Sequence, residues 1–150
     1  MNEITAKAQI FIQRPAADVF EAFADPEIMT QFWFPKTSGR LEEGQEVKWY
    51  VGTDADAFEI TVHVKVVRKP HTLLIQWGEA GALTDVAWKF EAQGDNGTIV
   101  RICESGFSGG QADVVRATLD STGGFNQVIT AAKALLEHGA RINVVEDHVS

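Results

Sequence analysis

Six segments of the chain alternate apolar and polar residues with a period of two, and the last third switches to the helical period. In "ITAKAQIFIQ" (4–13), Ile4, Ala6, Ala8, Ile10 and Ile12 share one side. "QEVKWYVG" aligns Val47, Trp49 and Val51, and "AFEITVHVKVV" aligns Phe58, Ile60, Val62, Val64 and Val66. "TLLIQWG" aligns Leu73, Ile75 and Trp77, "DVAWKFEA" aligns Val86, Trp88 and Phe90, and "TIVRICE" aligns Val100, Ile102 and Glu104. Each segment reads as a strand with one buried face. "KPHT" (69–72) and "DNG" (95–97) are turn signals, and Asn96-Gly97 is the stronger hairpin signal. Consecutive strands joined by short turns are expected to form an antiparallel meander.

Helical signals flank the strands. Pro15 suits a first helical position, with Asp18 in the first turn and Val19, Phe20 and Phe23 as a short apolar stripe. Asp25 reads as an N-cap, with Pro26 as the first residue of a second short helix. Pro35 ends it. Near the end, Phe125, Val128, Ile129, Ala132, Leu135 and Leu136 define a long amphipathic helix that stops at Gly139. Gly123 and Gly124 are expected to interrupt any helix that starts near Gln111. The resulting order is α+β: a strand, two short helices, a meander and one long helix to cover the apolar face of the sheet. A curved sheet would leave a space under that helix.

Charge and composition narrow the function. The net charge of −8 opposes nucleic acid, whose phosphates need a basic face. It also opposes an anionic membrane surface, and no stretch approaches the roughly 18 apolar residues of a span. Residues 1–12 carry neither the basic nor the continuous apolar stretch of a signal peptide. Cys103, the single cysteine, excludes an intrachain disulfide and suits the cytoplasm. The length of 150 residues fits one domain.

With these residues in this order, the chain resembles the SRPBCC superfamily, the helix-grip fold shared by START domains and the birch-pollen allergen. Within it, the chain looks like the branch named after the C-terminal domain of the activator of the heat-shock-protein-90 ATPase. "RPAADVFEAFADPEIMTQFW" (14–33) is similar to that branch's opening Ala-Pro…Val-Phe…Thr-Asp-Pro-Glu…Trp run. "VVRKPHTLLIQW" (66–77) is similar to its Pro-Pro-x-x-Leu…Trp strand pair, and "GTIVRICESGF" (97–107) to its Gly-Thr-x-Leu…Glu-x-Gly-Phe strand. "GGFNQVITAAKALLEHG" (123–139) is similar to its Gly-Trp…Leu helix, with Phe125 in place of Trp. The resemblance implies a lipophilic pocket between sheet and terminal helix. Relatives of this kind include lipid carriers, hormone receptors and aromatase/cyclase domains of polyketide pathways.

The candidate ligand-binding residues are Trp33, Phe34, Trp49, Phe58, Trp77, Trp88, Phe90, Glu104, Phe107, Phe125 and Ile129. Large aromatics also fill cores, so each could serve packing instead. Glu104 stands where alternation calls for an apolar residue. It is expected to face the space under the helix near its mouth, keeping water or backbone N–H groups as partners. "GFSGG" (106–110) matches G-x-S-x-G, but a nucleophile elbow needs a strand–turn–helix in an α/β sheet, which an antiparallel meander does not supply. His63, His71, His138 and His148 show no ligand spacing, so neither a metal nor a cofactor is implied. The first functional reading is binding of a small hydrophobic molecule. The alternatives are a cyclase-type enzyme using Glu104 as acid or base, and a co-chaperone-like protein-binding module. A homodimer and a protein partner are left open.

Overall fold

A computed structural model of the chain describes residues 3–53, 55 and 57–149. Strand β1 (Ala6–Ile12) is followed by helices α1 (Ala16–Ala24) and α2 (Pro26–Met29). Strands β2 (Lys36–Thr37), β3 (Glu46–Val51), β4 (Phe58–Arg68), β5 (Thr72–Trp77), β6 (Thr84–Ala92) and β7 (Thr98–Ser105) come next, then helix α3 (Gln111–His138). The sheet order is β1-β7-β6-β5-β4-β3-β2, and every pairing is antiparallel. This is the α+β helix-grip arrangement expected from the period switch. The two-residue edge strand β2 is the one strand that the sequence pattern does not signal.

Register sets the inner face. Trp88 lies opposite both Ile102 and Leu73, Phe90 opposite Val100, and Val86 opposite both Glu104 and Ile75. Trp49 faces Ile60, and Val47 faces Val62. Nearly all of these side chains are buried, and α1 adds Val19, Phe20 and Phe23 to the same core. Strand β4 departs from strict alternation through a bulge between Val64 and Val66. The extra residue flips the register, so Val67, opposite Leu73, packs on the core in the place expected for Val66.

The turn between β6 and β7 is longer than a two-residue hairpin. It runs from Gln93 to Gly97, closed by Gln93 N–H donating to the Gly97 carbonyl at 2.7 Å. Gly94, with φ of 71°, supplies the left-handed residue in place of Asn96. Gly97 is needed for a different reason: a Cβ there would lie 2.6 Å from Phe11 Cζ and 3.0 Å from the Gln93 carbonyl oxygen. Phe11, the apolar residue on the polar side of β1, therefore rests on this turn.

Asp25 caps α2 as expected, accepting from Glu27 N–H at 3.0 Å. Pro15 occupies the N-cap of α1 rather than its first turn. The larger correction concerns α3, which runs unbroken for 28 residues through Gly123 and Gly124. Two glycines weaken a helix by about 1 kcal/mol each, which tertiary packing can outweigh. That packing lies in the second half of α3, where Phe125, Val128, Ile129, Ala131 and Ala132 are buried. Thr118, Thr122, Asn126 and Thr130 form a stripe at four-residue spacing. Each donates its side-chain hydrogen to the carbonyl four residues back, at 2.7–2.8 Å. Gly139, with φ of 66°, ends the helix, its N–H donating to the Leu135 carbonyl at 2.8 Å.

The end of α3 is tied to the exit of β1. Gln13 N–H donates to Glu137 Oε2 at 2.8 Å, and Arg14 donates to the Glu137 carbonyl at 2.8 Å. Lys133 bridges the Phe11 carbonyl and Glu137. A second polar cluster holds α1 in place: Glu21 accepts from Arg40 at 2.6 and 2.8 Å and from Lys69 at 2.7 Å. The hydrogen bonds from Arg40, then the one from Lys69, overcome the opposing effect of burial and hold the Glu21 carboxyl down at about 2.

Two outcomes follow from these contacts. Gly97→Ala should cost about 1–3 kcal/mol in urea melts, and Phe11→Ala in the same chain should recover part of that loss. Purely additive effects would show that the Phe11 contact is not the obstacle. For Glu21, the depressed value means that its stabilisation is complete above pH 4.5 and is lost as pH falls from there to about 2. The difference in melting temperature between the protein and Glu21→Gln should therefore shrink over that window. A constant difference would contradict the ionic origin.

Candidate functional site

The first half of α3 stands away from the sheet. Between Gln111 and Gly124, Thr118 is the only buried residue, whereas Leu119 is 67% exposed. Beneath this half lies a cavity of about 650 Å³, walled by Trp33 and Trp77, by Gly123, Gly124 and Phe125 of α3, and by Val145 of the C-terminal tail. Its walls are mostly apolar, with Asp120, Gln127 and His148 as polar groups. The volume lies inside the range of roughly 300–1,000 Å³ typical of ligand pockets. A smaller cleft of about 250 Å³ adjoins it where the tail, through Arg141 and Asn143, meets the exit of α2.

A second cavity, of about 520 Å³, lies across Trp77. It is walled by the start of β4, the β5–β6 turn, Thr84 and Glu104. Glu104 shares the inner face with Val100 and Ile102, as alternation requires, but it is only 3% exposed. Its protein partners are side chains rather than backbone. Trp77 Nε1 donates to Glu104 Oε2 at 2.9 Å, and Thr84 Oγ1 donates to the same oxygen at 2.5 Å. The expectation of a carboxylate at an open mouth is thus corrected. Thr84 opens β6 one alternation before Val86 and so points inward, next to the carboxyl. Among the described residues, two buried side-chain polar atoms lack a partner, Glu104 Oε1 and Trp88 Nε1.

The candidate residues divide by depth. Trp33, Trp77 and Phe125 meet at the larger cavity, with Trp77 stacked on Phe125 at 6.1 Å and Trp33 edge-on to Phe125 at 6.4 Å. Phe34 clusters with Trp33 and Trp49, stacked on each at 4.7 and 4.9 Å, while those two rings lie 5.1 Å apart. Trp49, Trp88, Phe90 and Ile129 are core residues that reach neither large cavity. Phe58 and Glu104 belong to the smaller cavity, Phe58 as a rim residue that is 58% exposed. Phe107 is half-buried beyond the end of β7 and lines neither large cavity. Sequence reasoning missed Thr84, Leu119 and the C-terminal tail. Thr84 was legible as the inward position two residues before Val86, whereas the tail carries no period.

Ser108 is exposed in a loop after an antiparallel strand. His138 lies at the far end of α3, about 40 Å along a helix of this length. The G-x-S-x-G match is therefore not a nucleophile elbow. No group of three metal-ligating side chains occurs among the described residues, and no described helix is long and apolar enough to cross a membrane.

This architecture, one long helix over a seven-stranded antiparallel sheet with cavities between, defines the helix-grip class. Residues 13–137 match the family described as "Activator of Hsp90 ATPase homolog 1-like protein", and the chain belongs to that family. No curated protein sequence matches it. Among solved structures, a Staphylococcus saprophyticus protein is 26% identical over 93% of this chain and 96% of its own, with a TM-score of 0.75. DynU16, from the dynemicin biosynthetic locus, is 17% identical over 96% of this chain and 51% of its own, with a TM-score of 0.78. The Aha1 dimer from Colwellia psychrerythraea is 16% identical over 91% of this chain and 98% of its own, with a TM-score of 0.72. The last two likenesses concern the fold alone.

The paired donors on Glu104 yield a direct test. Thr84→Val removes one of two hydrogen bonds to a buried carboxyl and should cost about 1–3 kcal/mol in chemical denaturation. A loss below about 0.5 kcal/mol would mean that the hydroxyl contributes little to holding the carboxyl.

Proposed function

We propose that the protein binds a small hydrophobic molecule in the cavity between its sheet and the first half of α3, and that it does so in the cytoplasm. The observation that carries this reading is the glycine pair. A Cβ at Gly123 or Gly124 would meet nothing within 4 Å, yet both residues sit inside a helix that alanine would strengthen by about 1 kcal/mol each. Both border the cavity, next to Phe125 of the same helix, and share its lining with Trp33 and Trp77. Small residues at that point keep the space under the helix open at the expense of stability. Stacked and edge-on aromatic rings offer flat apolar faces suited to an aromatic or acyl ligand. Cys103 is free, which agrees with a reducing compartment.

The protein-binding reading has less support. Of the two exposed large apolar residues on α3, Val115 and Leu119, the more exposed, Leu119, borders the cavity mouth. The family name and the dimeric relative leave a partner protein or a second copy as alternatives.

Native mass spectrometry of the purified protein should show a co-purifying mass. The neutral dye N-phenyl-1-naphthylamine should brighten on addition. Gly123→Ala with Gly124→Ala should raise stability by about 1–2 kcal/mol in total and weaken dye binding, because the added methyl groups enter the cavity. Absence of both a bound mass and a dye response would overturn the proposal. Unchanged dye binding in the more stable variant would place the ligand elsewhere.

A further inference from the structure

We infer that the smaller cavity is a binding site for an organic ammonium group, a protonated amine on an apolar or aromatic frame, with Glu104 as the acceptor that reads it. Its described lining residues include Glu59, Glu79 and Glu104 and no basic residue. Glu59 alternates with the inward Ile60 and so stands on the outer side of β4, where Lys48 approaches it to 3.8 Å and donates to Thr61 at 2.6 Å, which leaves Glu79 and Glu104 as the carboxyl groups of the site. Two aromatic side chains, Trp77 and Phe58, complete the wall. Carboxyl groups beside aromatic faces suit a cation, which gains from both.

Exposed acidic residues alone would say little, but Glu104 adds an independent observation. It is 3% exposed, and its Oε1 has no partner. The carboxyl is positioned at the cavity, because both donors to its Oε2, Trp77 and Thr84, are themselves lining residues. A buried acceptor without a donor is unfavourable, and an incoming N–H relieves it. Oε1 itself is buried, so a ligand reaches it by a side-chain displacement. Trp77, half-buried and bordering both cavities, is the neighbour whose displacement would open that path.

The two donors also fix the polarity of the site. The Trp77 indole N–H can only donate. In Glu104→Gln the amide oxygen must therefore take the position of Oε2, and the amide NH₂ group stands where Oε1 was. The variant presents a donor to the cavity in place of an acceptor, at nearly unchanged shape.

The test uses three probes that share a phenyl ring: 2-phenylethylammonium, 2-phenylethanol and 3-phenylpropionate. Binding is followed through the Trp77 indole N–H resonance by NMR. The native protein should bind the ammonium probe about tenfold or more tightly than the alcohol, with the carboxylate weakest. Glu104→Gln should abolish that preference while N-phenyl-1-naphthylamine still binds in the larger cavity. The dye thus separates failure of this site from failure of the hydrophobic-ligand reading. Equal affinity for the three probes in the native protein, or an ammonium preference that survives Glu104→Gln, would overturn the assignment. If Glu104→Gln does not fold, the ranking of probes by the native protein decides alone.

Discussion

One helix cannot cover the inner face of a seven-stranded sheet. Strands spaced about 4.8 Å apart make that face roughly 30 Å wide, whereas a helix with its side chains is about 10–12 Å across. The long helix settles along β1, where Gln13, Arg14 and Lys133 tie it down through Glu137 and the Phe11 carbonyl. The rest of the face needs other cover. Helix α1, held by the ion pairs of Glu21, fills one part with Phe20 and Phe23 against Phe90. Trp33 and Phe34, at the exit of α2, fill another by packing over Trp49, Phe34 stacked and Trp33 tilted. What remains uncovered becomes the two cavities on either side of Trp77. The pockets are thus a geometric remainder of the fold, and their chemistry is set by whichever residues border the remainder.

That distinction explains how far the sequence could be read. Strand faces were legible because alternation reports directly on burial, and Val86, Trp88, Phe90, Val100 and Ile102 all point inward as the pattern requires. Alternation failed at Val66 because a bulge adds a residue without any local signal. Gly123 and Gly124 misled because helix propensity is local, whereas the burial of Phe125, Val128 and Ile129 that holds α3 together is not. Among the candidate site residues, period-two reasoning found the inward aromatics without assigning their depth. Trp77 and Trp88 share the inner face, yet one borders both cavities and the other is fully buried. Depth depends on where α3 lifts from the sheet, and that follows from helix anchoring far away in sequence.

Glu104 shows the same logic in a single side chain. Its face was legible from Val100 and Ile102, but its partners were not, because they come from two other strands. A slip of one residue in β7 would move the carboxyl to the outer face and bring Cys103 in among the aromatics. The register holds because Ala6 and Val86 lie directly opposite Glu104 on its two neighbouring strands, leaving room for a longer side chain between small ones. Trp77 and Thr84 then spend their hydrogens on one carboxyl oxygen and leave the other without a partner. A carboxyl needed only for packing would be served better by an apolar residue of equal volume, since burying a polar atom unpaired is unfavourable. The proposed ammonium site would supply the partner that this oxygen lacks. Trp77 links this site to the larger cavity: its ring stacks on Phe125 at one side while its N–H holds Glu104 at the other. A displacement of the indole would therefore alter the walls of both spaces at once.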